Sequence, residues 1–81
     1  MQESDVLPVI EEIMRELTDD PDLNLDRDTT ADDVDLWDSV LHVKMMIAIE
    51  SQFGIRFETE ELNAPELVGE LIDLVIAKKQ A

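Results

Sequence analysis

The sequence predicts an all-α protein: a small antiparallel bundle of three main helices plus one short helix, with a long loop between the first and second helices. Three observations predict it. The chain has 81 residues and no cysteine, so one domain, residues 1–81, must fold by packing alone. Its apolar residues, 44% of the chain, recur at helical spacing in three runs. Between the first two runs lies a stretch rich in Asp, Thr and Asn with no sustained period. With two Phe and one Trp, the core is mostly aliphatic.

The first helix is predicted over residues 4–18. Ser4 can cap it and Asp5 suits its positive end. Pro8 falls in the first turn or just beyond, where a missing amide hydrogen costs little. Val6, Ile10, Ile13 and Leu17 form one stripe, widened by Leu7 and Met14, with Glu11, Glu12, Arg15 and Glu16 on the other side. The run stops at Asp19-Asp20-Pro21, because the residue before a proline avoids helical geometry.

Residues 22–36 read as a loop anchored by Leu23, Leu25, Val34 and Leu36, with Trp37 beside them. A loop this long in a small domain is functional or well tied down. Its acids do not make a calcium loop. A register starting at Asp26 puts Ala31 at the required glycine and Trp37 at the bidentate glutamate; one starting at Asp22 puts Arg27 at the glycine. No metal site is assigned.

The second helix is predicted over residues 39–53. Asp38 is its cap, and Gly54 supplies the left-handed residue that ends it. Val40, Val43, Met46, Ile47 and Phe53 support one apolar face, made broad by Met45, Ala48 and Ile49. Ile55 and Phe57 then plug the core from a connector, and residues 59–62 form a brief helical turn. Asn63 is expected to cap the last helix, with Pro65 in its first turn and Glu66 at the third position as in a capping box. Leu67, Val68, Leu71, Ile72, Leu74, Val75 and Ile76 give a wide buried stripe. Lys78 and Lys79 match the negative helix end.

The charge balance narrows the function. Twenty-one acids against six Lys plus Arg give a net charge of −15. Phosphate backbones and anionic membranes would be repelled, so no nucleic-acid partner is expected. Partners presenting Lys and Arg are suited. The first residues lack the basic and apolar regions of a signal peptide, and no apolar run approaches the roughly 18 residues of a membrane span. A cytoplasmic monomer is expected.

Enzyme constellations fail. His42 is the one histidine, so a His-based metal cluster is excluded. Ser39 and His42 can meet at a spacing of three. A nucleophile and base also need an orienting group and an oxyanion site, for which so small a bundle has little room. His42 reads as a helix-surface residue, and no catalytic residue is assigned. Ser4 reads as a cap, whereas Ser39 lies at a helix start after the capping acid Asp38 and between the apolar Trp37 and Val40. From the residues alone it reads equally as an ordinary early-helix serine or as an attachment point. A phosphodiester on its hydroxyl would meet free amides and the positive end of the helix dipole.

Asp38-Ser39-Val40, followed by residues 43–50 of the helix and then Phe53-Gly54-Ile55, resembles the acyl carrier proteins. Their attachment motif is Asp-Ser-Leu at the head of an amphipathic helix. The resemblance covers nearly the whole chain in element order. It implies that Ser39 carries 4'-phosphopantetheine, transferred covalently from coenzyme A by a phosphopantetheinyl transferase using magnesium. The arm's thiol would hold acyl groups as thioesters, supplying the sulfur that the chain lacks. The protein would be a substrate of biosynthetic enzymes, not a catalyst.

By the same resemblance, Asp38, Val40, Ile47 and Glu50 would contact acyl-loading, ketosynthase or other acyl-transferring enzymes with basic docking patches. The pathway would be fatty acid, polyketide or specialised. Val40 replaces the usual Leu, and Lys44 stands where many fatty-acid carriers have an acid. Fourteen of the twenty-one acids lie in residues 1–38. Trp37 before the Asp resembles carriers of specialised pathways. Two alternatives remain: an aminoacyl or peptidyl carrier, which shares fold and serine, and an unmodified acidic helical adaptor.

Overall fold

Three helices carry the structure: α1 (Glu3–Thr18), α2 (Ser39–Phe53) and α3 (Val68–Gln80). The computed structural model describes residues 2–34, 37–62 and 65–80. The predicted anchor Leu36 and the predicted cap Asn63 lie outside the described residues. Short 3₁₀ turns at Ala31–Asp33 and Thr59–Leu62 interrupt the two connectors. The predicted short helix is the second of these. Among the described residues there is no strand, and no helix is long and apolar enough to cross a membrane.

α1 packs against both other helices. Val6, Ile10, Ile13 and Met14 are buried, as their spacing requires, and Leu7 and Leu17 pack at the margin. The helix begins earlier than its sequence suggests. The Asp5 carboxylate accepts from the Gln2 amide at 2.9 Å, so Gln2 is the cap and Ser4 sits inside the first turn. Pro8 therefore falls in the second turn, where its missing amide hydrogen leaves the Ser4 carbonyl without an intrahelical donor. The helix ends on Asp19 in the left-handed conformation, just ahead of Pro21.

The long connector is tied down by side chains from α1's polar side. Arg15 Nε donates to the Leu23 carbonyl at 2.7 Å, and Glu11 accepts from the Leu25 amide at 2.8 Å. Glu11 and Arg15 also pair with each other at 3.0 Å. These two residues brace the loop while Leu25 and Val34 enter the core.

The connector's other partner is α3. The amides of Val68 and Gly69 have no carbonyl inside their own helix. They donate instead to the carbonyls of Thr29 and Arg27, each at 2.9 Å. Thr30 and Leu67 form an isolated antiparallel bridge alongside. Arg27 adds ion pairs to Asp73, at 2.8 Å, and to Glu3. Those hydrogen bonds, Asp73's first, hold its proton more tightly than usual.

α3 starts at Val68, later than the capping pattern at residues 63–66 implied. The carboxylate that reaches back from inside this helix is that of Glu70, which accepts from the Glu66 and Leu67 amides at 3.2 and 3.0 Å. Val68, Leu71, Ile72 and Val75 are buried, as their period requires. Lys78 pairs with Glu61 at 2.5 Å and fastens the second 3₁₀ turn to α3. That pairing first, and the Glu58 amide second, hold the Glu61 carboxyl below the usual range.

Candidate functional site

Ser39 is the first residue of α2 and is exposed. Its position follows from the residue before it. Asp38 has extended backbone and its carboxylate accepts from the Leu41 amide at 2.8 Å. The His42 amide bonds the Asp38 carbonyl at 2.9 Å and continues the ladder. Ser39 and Val40 hold the first two helix amides, which have no acceptor in their own helix. The hydroxyl therefore stands at the positive end of α2, where an anionic ester would be stabilised.

Ser39 lines a cleft of about 490 Å³. Trp37 and His42 form part of its wall, Pro65 and Leu67 another, and the Thr30–Asp32 segment a third. His42 holds this wall together. The Trp37 indole N–H donates to His42 Nδ1 at 3.2 Å, which leaves the ring proton on Nε2 to donate to the Leu62 carbonyl at 2.6 Å. The rings stack with centroids 6.1 Å apart and planes 21° from parallel. His42 is thus half-buried and fully engaged, not the free surface residue its spacing suggested. Both nitrogens are bonded elsewhere, so neither serves Ser39 as a base.

The helix beyond Ser39 sorts its apolar residues in a way its pattern did not show. Leu41, Met45, Met46 and Ile49 face the core, Leu41 being the one not anticipated. Val40, Val43 and Ile47 face solvent, with 61%, 44% and 58% of their surface exposed. Val43 was expected in the core and lies outside it, on the stripe that starts beside Ser39. The helix is apolar on nearly every side, so periodicity alone could not fix its rotation.

Glu50 is half-buried. Its carboxylate accepts from the Phe57 amide at 2.7 Å, and its carbonyl accepts from Gly54 and Ile55. It closes the turn after α2, a role its sequence position did not announce. Gly54 has φ +66°, the left-handed conformation foreseen for it. Of the four expected contact residues, Asp38, Val40 and Ile47 are exposed on or beside the Ser39 stripe, and Glu50 is partly committed inward. Among the described residues no cluster of three His, Cys or acidic side chains could hold a metal ion.

No protein-family model matches the sequence, and no curated protein matches it. Among solved structures, the solution NMR structure of a holo acyl carrier protein from Geobacter metallireducens is similar, with TM-score 0.80 and 38% sequence identity. The similarity covers 89% of this chain and 83% of that one.

Proposed function

The chain belongs to the acyl carrier proteins, which carry intermediates and do not catalyse, and from that premise we propose that Ser39 is where its 4'-phosphopantetheine is attached. The observation that carries the assignment is an exposed serine that is the first residue of α2 and lines a cleft, beside two helix amides that have no acceptor in their own helix. The group supplies a thiol on a flexible arm, which a chain without cysteine needs in order to hold acyl thioesters. The residues of the chain present and orient it. Asp38 fixes the start of α2 and so the direction of the Ser39 side chain. The helix amides and dipole favour the phosphodiester oxygens.

The partners are a phosphopantetheinyl transferase and the enzymes that load and unload the arm. Asp38, Val40, Ile47 and Glu50 are the contact residues of this reading, Val40 and Ile47 as apolar anchors. Lys44 in place of an acid, and Trp37 built into the cleft wall, favour a specialised pathway.

Purified protein incubated with coenzyme A, magnesium and a broad-specificity transferase should gain the mass of one phosphopantetheine. Ser39→Ala should gain none. An unchanged mass for the wild-type chain, or loading of the variant, would reject the assignment.

A further inference from the structure

The outward stripe of α2 specifies the kind of surface that meets it. Resting on the Ser39 reading, we propose that partner enzymes engage this helix through an apolar socket carrying a carboxylate opposite Lys44, not through a basic patch. Val40, Val43, Lys44 and Ile47 are spaced three and four apart and form one exposed row running from Ser39. Three large apolar side chains in a row on a helix face mark a contact surface better than isolated ones do.

The charge on that row is the distinctive feature. The chain carries 21 acids, yet α2 has only Glu50, whose carboxylate is bonded to the Phe57 amide. The positions three and four away from Lys44 are Val40, Leu41, Ile47 and Ala48, so no neighbour on the helix compensates the ammonium. No ion pair among the described residues includes it. A partner arginine or lysine pressed onto this row would meet a like charge between apolar walls. A carboxylate there would form a charge-assisted pair as the surrounding water is expelled. Fourteen of the acids lie in residues 1–38, before α2, and the one next to the row is the helix cap Asp38, whose carboxylate is bonded to the Leu41 amide.

The test uses two synthetic amphipathic helical peptides, identical except for Glu or Lys at the centre of the apolar face. Each is titrated into the isotopically labelled protein before any cofactor loading, and amide shifts are followed. The Glu-centred peptide should move Val43, Lys44 and Ile47, and Lys44→Glu should weaken it about fivefold, as for an exposed ion pair lost. Lys44→Met should fall between. The Lys-centred peptide should reach this row only in Lys44→Glu. The proposal is overturned if the Lys-centred peptide binds the row more tightly in the wild type. It is equally overturned if Lys44→Glu leaves the Glu-centred peptide unaffected, or if neither peptide moves the row. The unloaded protein is used, so this outcome is independent of whether Ser39 accepts a cofactor, and failure of that loading would undo the other reading alone.

Discussion

α1 and α2 are nearly equal in length, sixteen and fifteen residues, and border the same core, but they spend their apolar residues differently. In α1 every large apolar side chain is buried or packed at the core margin, and the far side carries the acids and Arg15 that brace the loop. In α2, four apolar side chains fill the core and three more stand in water on the opposite side. α1 carries about as much apolar surface as the core can cover. α2 carries more, and the excess is gathered beside Ser39. On the proposed reading, an over-apolar helix in a small bundle serves two surfaces, one made on folding and one completed by a partner.

The largest expected effect tests the inner surface. Ile49 is fully buried, so Ile49→Ala should cost about 2–5 kcal/mol of stability, read by denaturant unfolding. A loss below about 1 kcal/mol would mean that α2 does not present this side to the core. Next comes the seat of the loop on the start of α3. A methyl group on Gly69 would stand 2.9 Å from the Arg27 carbonyl oxygen, which already accepts the Gly69 amide. Alanine regains roughly 1 kcal/mol in helix propensity, but the backbone clash should leave a net loss of about 1–2 kcal/mol. A stabilised Gly69→Ala would show that the connector yields easily and that the Arg27 carbonyl does not hold it closely to α3.

Much of this was legible from residue types. Helix existence follows from strong 3.6-residue periods, and the bounds of α2 follow from Asp38 and Gly54, whose roles are local and stereotyped. The Ser39 position was legible for the same reason, since a cap fixes what comes after it. Three features were hidden. The rotation of α2 could not be read because apolar residues occupy nearly all its sides. The start of α3 was misplaced because Glu66 and Glu70 both offer a reaching carboxylate, and the carbonyl acceptors supplied by Thr29 and Arg27 are distant in sequence. His42 looked solvated because its partners Trp37 and Leu62 come from two different connectors. Each miss involves a contact between segments, which periodicity does not encode.

Two smaller effects sharpen the contrast at the ends of the elements. Asp38→Ala removes the acceptor for the Leu41 amide and should cost about 1 kcal/mol. The same variant should also slow cofactor loading, because the start of α2 then frays under Ser39. An unchanged thermal midpoint would mean that the packing of Leu41 sets the helix start without the cap. The Glu61–Lys78 pair tests the far connector by pH. The carboxyl is held low in the folded state, so its contribution is present above the ordinary carboxylate pKa of about 4.3 and is lost as pH falls through the lower folded value. The stability gap between wild type and Lys78→Met should therefore narrow on acidification. A gap constant with pH would assign it to the lysine's stem and not to its charge.

The smallest stability effect is expected at the outer surface and carries the sharpest form of the comparison. Ile47 and Ile49 are the same residue type two positions apart on one helix, with 58% and 0% of their surface exposed. Ile47→Ser removes apolar surface that is already in water, so little transfer energy is lost and the change should stay within about 0.5 kcal/mol. If Ile47 is the partner anchor proposed above, transfer of acyl groups between this carrier and its enzymes should nonetheless fall, because the lost side chain is one that docking would bury. Stability unchanged with transfer reduced is the signature of a surface kept for a partner. Stability reduced as much as in Ile49→Ala would place Ile47 in the core and erase the distinction between the two faces of α2.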